Sequence, residues 1–379
     1  MDRGAIGVGA VMALALAVVR PLVHIRVQEI FAQRIGHLSV EPELWLSRQE
    51  GRPGRRGKVL FYPVKPISNT YLWERWKDFL PVGPAWLLRP IYRAGLRFPR
   101  LQVTVRDWDS THADLRPLDK QQPHFTITES AAKHAYEYRR SKGIPDSTPH
   151  VCLAVRDGAY LRHAFAKRDW DYHDYRDSDI RDYRPMANFL ATQGYAVIRM
   201  GSIIQGHLEE QHPFVIDYAS SERRTEELDV ALFATCSFCI STSTGMDGLA
   251  FMARRPVGVV NVPGIGGLRL GQLTKLVMTK DVHDARTGKR LPLDDPRRLE
   301  AMAYYRSDDY GQNGLELRCN SPNDLLDFAR NMVEVDKGSF RVSQSQKETE
   351  RRILEGLPGP VDRSRVSAHF PPKWFWERV

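Results

Sequence analysis

Residues 238 to 247, FCISTSTGMD, place four consecutive hydroxyl residues and a glycine where a buried-type apolar run gives way to a helical pattern. Small donors gathered between a strand and a helix suit an oxyanion. A helix N-terminus carries unpaired N–H groups and a partial positive charge, so phosphate binds there readily. With the helix starting near Met246, Gly245 lets the backbone come close to such a group, and Ser243 and Thr244 add hydroxyl donors. The competing reading is that these hydroxyls only cap the helix, since capping draws on the same chemistry. Asp247 is placed to orient the hydroxyl turn or the bound group.

Other clusters bring cations toward the same place. Arg156-Asp157, in VCLAVRDGAY, ends an earlier strand pattern, and a guanidinium fork matches diphosphate geometry. A surface ion pair is the plain alternative. Residues 171 to 180, DYHDYRDSDI, hold four acidic groups, two tyrosines, His173 and Arg176. That aromatic content fits a substrate-facing loop better than a solvated one. Arg199 and Gly201 end the next strand pattern and set another cation at the crevice.

Metal and thiol chemistry have weaker signals. Asp-x-Asp occurs as Asp107-Trp108-Asp109 and Asp169-Trp170-Asp171, and such a pair can hold a divalent cation against a diphosphate. In a chain this rich in aspartate such triplets also arise by chance. Cys152, Cys236, Cys239 and Cys319 lie mostly in apolar runs and read as buried thiols of a reducing compartment. Cys236 and Cys239 form a CxxC, but a zinc site wants a second pair, and this motif runs into a strand instead of opening a helix. No GxSxG, HExxH or Walker loop is present.

The elements that must position these residues follow from composition and periodicity. At 379 residues and 42% hydrophobic, with 27% charged and 10% aromatic, the chain is globular and long enough for two domains. A net charge of +9 fits nucleic acid, an anionic membrane face or phosphorylated substrates. The arginines are scattered and no nucleic-acid-binding motif occurs, which leaves the last two.

Gly4 to Val19 is a run of 16 apolar or small residues between Arg3 and Arg20, short of the ~20 that span a bilayer. Arg20-Pro21 follows where a cleaved signal peptide would place a small polar exit. Beyond it, Leu22, Val23, Ile25, Val27, Ile30, Phe31 and Ile35 alternate with Arg20, His24, Arg26 and Arg34, which reads as a basic amphipathic helix. Residues 1–36 are therefore expected to anchor the chain to an anionic membrane, as a signal anchor or in the membrane plane, with the body on the cytoplasmic side. A helix buried in the protein is the alternative.

GRPGRRGK leads into the strand pattern VLFYPV, YLWERWKDFL is helical, and LQVTVRD alternates as a strand, so residues 37–148 form a first α/β unit. In residues 149–337 strand patterns alternate with helices: HVCLAVRD, YRPMANFLATQG, YAVIRMG, FVIDYA, RRTEELDVALFATC, SFCIST, TGMDGLAFMARR and PVGVVNVP. That order predicts a parallel, doubly wound sheet with ligands beyond its carboxyl ends. A partly irregular section closes the unit with the helix SPNDLLDFARNMVEV, and residues 338–379 read as a peripheral tail.

With those elements in place, ISTSTGMDGLAFMARRPVGVVNV is similar to the last nucleotide-sugar-binding segment of GT-B glycosyltransferases. VCLAVRDGAYL, YHDYRDSDI, GYAVIRMGS, DYASSERRTEELDVALFATCSFCISTSTGMD and RRPVGVVN together resemble a family of bacterial glycosyltransferases found among surface-polysaccharide and lipid-linked glycan genes. The resemblance runs from about Val23, through RIGHLSVEPELWL and PISNTYL, to about residue 270. It implies a GT-B-like α/β fold of two Rossmann-type domains around a cleft, at the cytoplasmic face of the bacterial inner membrane. It also implies sugar transfer from a nucleotide-sugar donor without a metal. The chain is accordingly expected to act on a glycan or lipid-linked acceptor, with no cofactor and no nucleic-acid partner.

Related fucosyltransferase-like enzymes carry His-x-Arg at the equivalent strand end, the arginine lying on the donor diphosphate. Here Ala154-Val155-Arg156 keeps the arginine alone. The expected donor set is Arg156, Asp157, Tyr160, Arg176, Arg199, Gly201, Ser243, Thr244, Gly245, Met246 and Asp247, with Ser68 and Asn69 on the acceptor side. His173 and Asp174 are the first candidates for the base, and Arg156 for stabilising the leaving group. The alternative is a non-catalytic nucleotide-sugar-binding or assembly factor with the same pocket.

Overall fold

The computed structural model describes residues 3–50, 57–108, 114–159, 171–209, 211–266, 268–358 and 366–379. Its centre is a six-stranded sheet made of β3 (His150–Ala154), β4 (Ala196–Arg199), β5 (Val215–Ile216), β6 (Phe238–Ser241), β7 (Val257–Val262) and β8 (Thr274–Thr279). All neighbours run parallel, in the order β5-β4-β3-β6-β7-β8. Every residue of β3, β4, β6 and β7 is buried, as continuous apolar strands covered on both faces should be. The chain lays β4 and β5 to one side of β3 and then returns to lay β6, β7 and β8 on the other. The order therefore reverses between β3 and β6, and the crevice that binds ligands in such sheets opens there.

The helices, in chain order, are α1 (Arg3–Val19), α2 (Ile35–Gln49), α3 (Thr70–Trp76), α4 (Ala85–Arg97), α5 (Arg116–Asp119) and α6 (Glu129–Ser141). They continue with α7 (Arg184–Thr192), α8 (Glu226–Thr235), α9 (Asp247–Met252), α10 (Pro296–Ala301), α11 (Ser307–Gln312), α12 (Pro322–Asp336), α13 (Gln344–Glu355) and α14 (Pro372–Trp376). Their ends follow local chemistry. Ser321 and Asp324 form a reciprocal capping box with Pro322 in the first turn, and α12 buries Leu325, Phe328, Ala329, Met332 and Val333 at helical spacing. Thr225 caps α8 through its side-chain oxygen.

The strands read from residues 149–337 are present and parallel, but three expectations elsewhere change. The stretch taken as a basic amphipathic helix, Leu22 to Ile35, instead contains strand β1 (Ile25–Ile30), paired in parallel with β2 (Lys58–Pro63). Its β-branched Ile25, Val27 and Ile30 fit a pleated, half-buried surface, and Val27 and Ile30 are fully buried. LQVTVRD makes only one bridge, Val27 to Thr104. The described part of the first unit thus holds a two-stranded sheet instead of a second Rossmann sheet.

Nor is the tail peripheral. His369 bridges the outer edge of β8 at Leu276, and Phe370, Trp374 and Phe375 are buried in the main core. The Trp374 indole N–H donates to Asn320 Oδ1 at 2.6 Å. Four aromatics within seven residues, 370 to 376, supply the apolar area that seals an otherwise open sheet edge.

Candidate functional site

A cavity of about 350 Å³ opens where β3 and β6 end, lined by Arg34, by His37 and Ser68 of the first unit and by Arg156, Arg176 and Ser243 of the second, among others. The volume falls within the ~300–1,000 Å³ of small-molecule sites. Helix α2 closes it by unusually close packing. A Cβ on Gly36 would lie 3.1 Å from the Gly245 Cα, and one on Gly248 would lie 2.4 Å from Ser39 Oγ. The three glycines are thus what lets α2 sit against the hydroxyl turn and α9. His37 follows Gly36 directly and lines the cavity together with that turn.

Three of the four hydroxyls in the turn build it. Thr242 Oγ1 accepts the Arg156 N–H at 2.8 Å, Ser241 Oγ donates to Asp247 Oδ2 at 2.9 Å, and Thr244 Oγ1 accepts the Met246 N–H at 3.1 Å. Thr244 therefore follows the capping alternative. Ser243 differs, with φ at 58°, the left-handed region where a non-glycine residue is uncommon and strained. Its hydroxyl lines the cavity without a hydrogen bond among the described residues, while its carbonyl accepts from Arg176 Nη2 at 2.8 Å. Helix α9 is only six residues long, so the larger cationic field comes from side chains.

Those side chains are five arginines, Arg34, Arg156, Arg176, Arg224 and Arg269, facing two cavity-lining carboxylates, Asp157 and Asp229. Arg156 gives its Nε–H to Asp177 Oδ1 at 3.0 Å, which directs the fork and leaves both terminal nitrogens unbonded among the described residues. Burial, and then the charge of Arg156, hold Arg176 down to about 10. A buried guanidinium held down beside a second cation gains from an anion placed next to it. Arg269 pairs with the buried Asp247, which burial pushes above the usual carboxylate range despite that cation. Asp247 is thus an anchor for the turn and for Arg269.

The predicted residues separate into those that meet at the cavity and those that do not. Arg156, Asp157, Arg176, Gly201, Ser243, Thr244, Gly245, Met246, Ser68 and Asn69 all line it. Asp157 braces two loops, accepting from the Ala159 and Gln205 N–H groups at 3.0 and 2.9 Å. Asn69 is engaged at both ends, capping α3 at Leu72 N and donating to the Glu226 carbonyl.

Arg199 does not reach the crevice. It is buried, with Nη1 bonded to the Gly206 carbonyl at 2.7 Å and to Asp217, because its strand position turns it into the layer beneath. Asp174 is exposed and outside the lining, in the turn Asp171–Arg176, whose Tyr175 packs at a tilt against Tyr310. The side chain of His173 lies outside what the structure describes, as do Tyr160, Asp109, Asp169 and the side chain of Asp171. Cys152, Cys236 and Cys239 are buried free thiols of the sheet core, and Cys319 is free and exposed.

The sequence reading missed Arg34, Arg224, Arg269, His37 and Asp229. His37 has a recoverable signal, since Glu41 follows four residues later on the same helix face. Its Nδ1 lies 2.6 Å from Glu41 Oε1, and Glu41 is itself buried and accepts the Trp108 indole N–H at 3.0 Å. A carboxylate fixed in this way holds the imidazole with Nδ1–H toward itself and makes Nε2 the basic nitrogen.

Asp229 Oδ2 accepts from Arg224 Nη2, and burial raises its carboxyl from the ordinary 3.8 to about 6. A raised carboxyl pKa means that the folded protein binds this proton more tightly than the unfolded chain does. The contribution favours folding below 3.8 and is lost as pH rises through 6. Asp229→Asn should therefore gain on wild type in urea unfolding by up to about 3 kcal/mol between pH 4 and pH 7. A pH-independent difference would show that Asp229 is not buried as described.

No family model and no curated protein matches this chain. Solved structures similar to it include a glycosyl transferase of family 9 from Veillonella parvula DSM 2008, at 12% identity and a TM-score of 0.31, covering 60% of this chain and 63% of that one. This chain thus spans somewhat less than two thirds of that protein. E. coli ADP-heptose lps heptosyltransferase II aligns at 14% identity and a TM-score of 0.37, over 62% and 84% of the two chains. E. coli heptosyltransferase WaaC with ADP aligns at 15% identity and 0.34, over 68% and 93%.

Proposed function

We propose that the chain is a glycosyltransferase that moves a sugar from a nucleoside-diphosphate donor to a glycan or lipid-linked acceptor of bacterial surface-polysaccharide assembly, without a metal. The observation that carries the reading is the Arg156–Arg176–Ser243 group at the point where the strand order reverses, in a cavity that His37, held by Glu41, also lines. The acceptor hydroxyl gives its proton to His37 Nε2 as its oxygen bonds to the anomeric carbon. The bond from that carbon to the diphosphate oxygen breaks, and the charge left on the nucleoside diphosphate grows against the guanidinium forks. The sequence resemblance supports the same chemistry.

The test is release of nucleoside diphosphate from a panel of UDP-, GDP-, dTDP- and ADP-sugars, with CMP-sugars as a one-phosphate control and EDTA in parallel reactions. One diphosphate donor is expected to be consumed at the same rate with and without EDTA. Binding of a donor without turnover under any acceptor mixture would favour the assembly-factor alternative, and a loss in EDTA restored by Mn²⁺ would overturn the metal-free mechanism.

A further inference from the structure

Away from this cavity, α4 packs on β1 and β2 and α1 lies against α4, and together the two helices expose surface that a water-facing pair would not. Ala13, Val27, Tyr62, Leu88, Ile91, Ala94 and Val103 form a small second core beneath them. The two helices touch closely, since a Cβ on Gly9 would lie 2.3 Å from the Pro90 carbonyl oxygen. The side of α1 turned away from that core carries Val8, Val11, Leu14 and Val18, between 56% and 70% exposed, with Leu22 at 85% just beyond. Their spacing of three and four residues makes one continuous apolar stripe. No described helix is long and apolar enough to cross a membrane.

The neighbouring helix, α4, forms one wall of a groove of about 1,090 Å³ lined by Lys65, Lys77, Trp86, Arg89, Arg93 and Arg97, with no carboxylate in the lining. Arg89, Arg93 and Arg97 recur every four residues on one face, and none has an ion-pair partner among the described residues. Lys77 alone is paired, with Glu74. Trp86 is 78% exposed at the groove. An exposed tryptophan, a cationic row and an apolar stripe on adjacent helices match the layers of a bilayer surface, in which an apolar face enters the acyl boundary and cations meet lipid phosphates.

We propose that α1 and α4 form an in-plane docking face for an anionic phospholipid surface, with the α4 groove as the site for lipid phosphate groups. Charge selects this occupant. A second copy of the chain would set two rows of unpaired arginines near one another unless it offered carboxylates, and the lining has none. This inference does not depend on what the Arg156 cavity binds.

The test is co-sedimentation of the purified full chain with phosphatidylcholine vesicles and with vesicles also containing phosphatidylglycerol. Wild type is expected to bind the anionic vesicles far more strongly, and less so as salt is raised. The combined change Arg89→Glu, Arg93→Glu and Arg97→Glu should weaken that binding about a hundredfold or more. Val11→Asp with Leu14→Asp should abolish it, with melting temperature and donor turnover unchanged. Equal binding to neutral and anionic vesicles, no binding to either, or retention by the charge-reversed variant would overturn the proposal. So would a lipid-free dimer dissolved by Val11→Asp, which would assign the stripe to a second copy.

Discussion

Replacing Arg156 by lysine should be nearly as damaging as replacing it by alanine, with kcat falling about 10²- to 10³-fold in both variants. The reason is geometric. Arg156 uses Nε to hold Asp177, with its backbone fixed by Thr242, and in the proposed mechanism its two terminal nitrogens meet the anion. A lysine has one nitrogen for both tasks and cannot present a planar fork. Because the charge on the departing diphosphate grows in the transition state, the loss should fall mainly on kcat, with donor binding changed less. Steady-state kinetics beside a melting curve decide the matter. A lysine variant close to wild type, with alanine costing less than ~1 kcal/mol, is what a plain ion pair with Asp177 would give.

The second large effect belongs to His37. Its replacement by alanine should lower kcat by about 10²- to 10⁴-fold, the range for removal of a general base. Donor affinity should hold, because the proposed mechanism assigns the diphosphate contacts to other residues. Glu41→Gln keeps the imidazole but removes the carboxylate that orients it, so its loss should be intermediate and again in kcat. Added imidazole should partly restore turnover in His37→Ala and have no such effect in Arg156→Ala. A His37→Ala enzyme within threefold of wild type, or one that imidazole does not help, would move the base elsewhere in the cavity.

What could be read in the chain and what could not follows from how each residue reaches its place. Continuous apolar runs such as PVGVVNV and HVCLA announce strands covered on both faces, and their alternation with amphipathic stretches gives a parallel sheet. The strand ends then put Arg156 and the hydroxyl turn at one crevice, as the structure shows. Residues that arrive by tertiary packing left weaker marks. Arg34 and His37 come from α2, which reaches the turn only because Gly36, Gly245 and Gly248 lack side chains. Arg269 follows β7 in an irregular loop, and its role shows only in the pairing with Asp247.

Arg199 failed for the opposite reason. Its position along the strand is legible, but the face it turns toward shows only in the pairing with Asp217, 18 residues away. The stretch 25–30 misled because Ile25, Val27 and Ile30 satisfy a helical spacing loosely and a strand spacing nearly as well, and β-branching was the better guide.

The most direct test of the central claim is calorimetric titration of nucleoside diphosphates into wild type and into the double variant Arg156→Ala, Arg176→Ala. The account predicts saturable binding at one site in wild type for at least one nucleotide. In the double variant it predicts binding about tenfold to a hundredfold weaker, or more, at an unchanged melting temperature, since each lost bond to a charged group contributes ~1.5–3 kcal/mol. Wild-type binding that survives both substitutions intact would place the diphosphate outside this cavity and contradict the account.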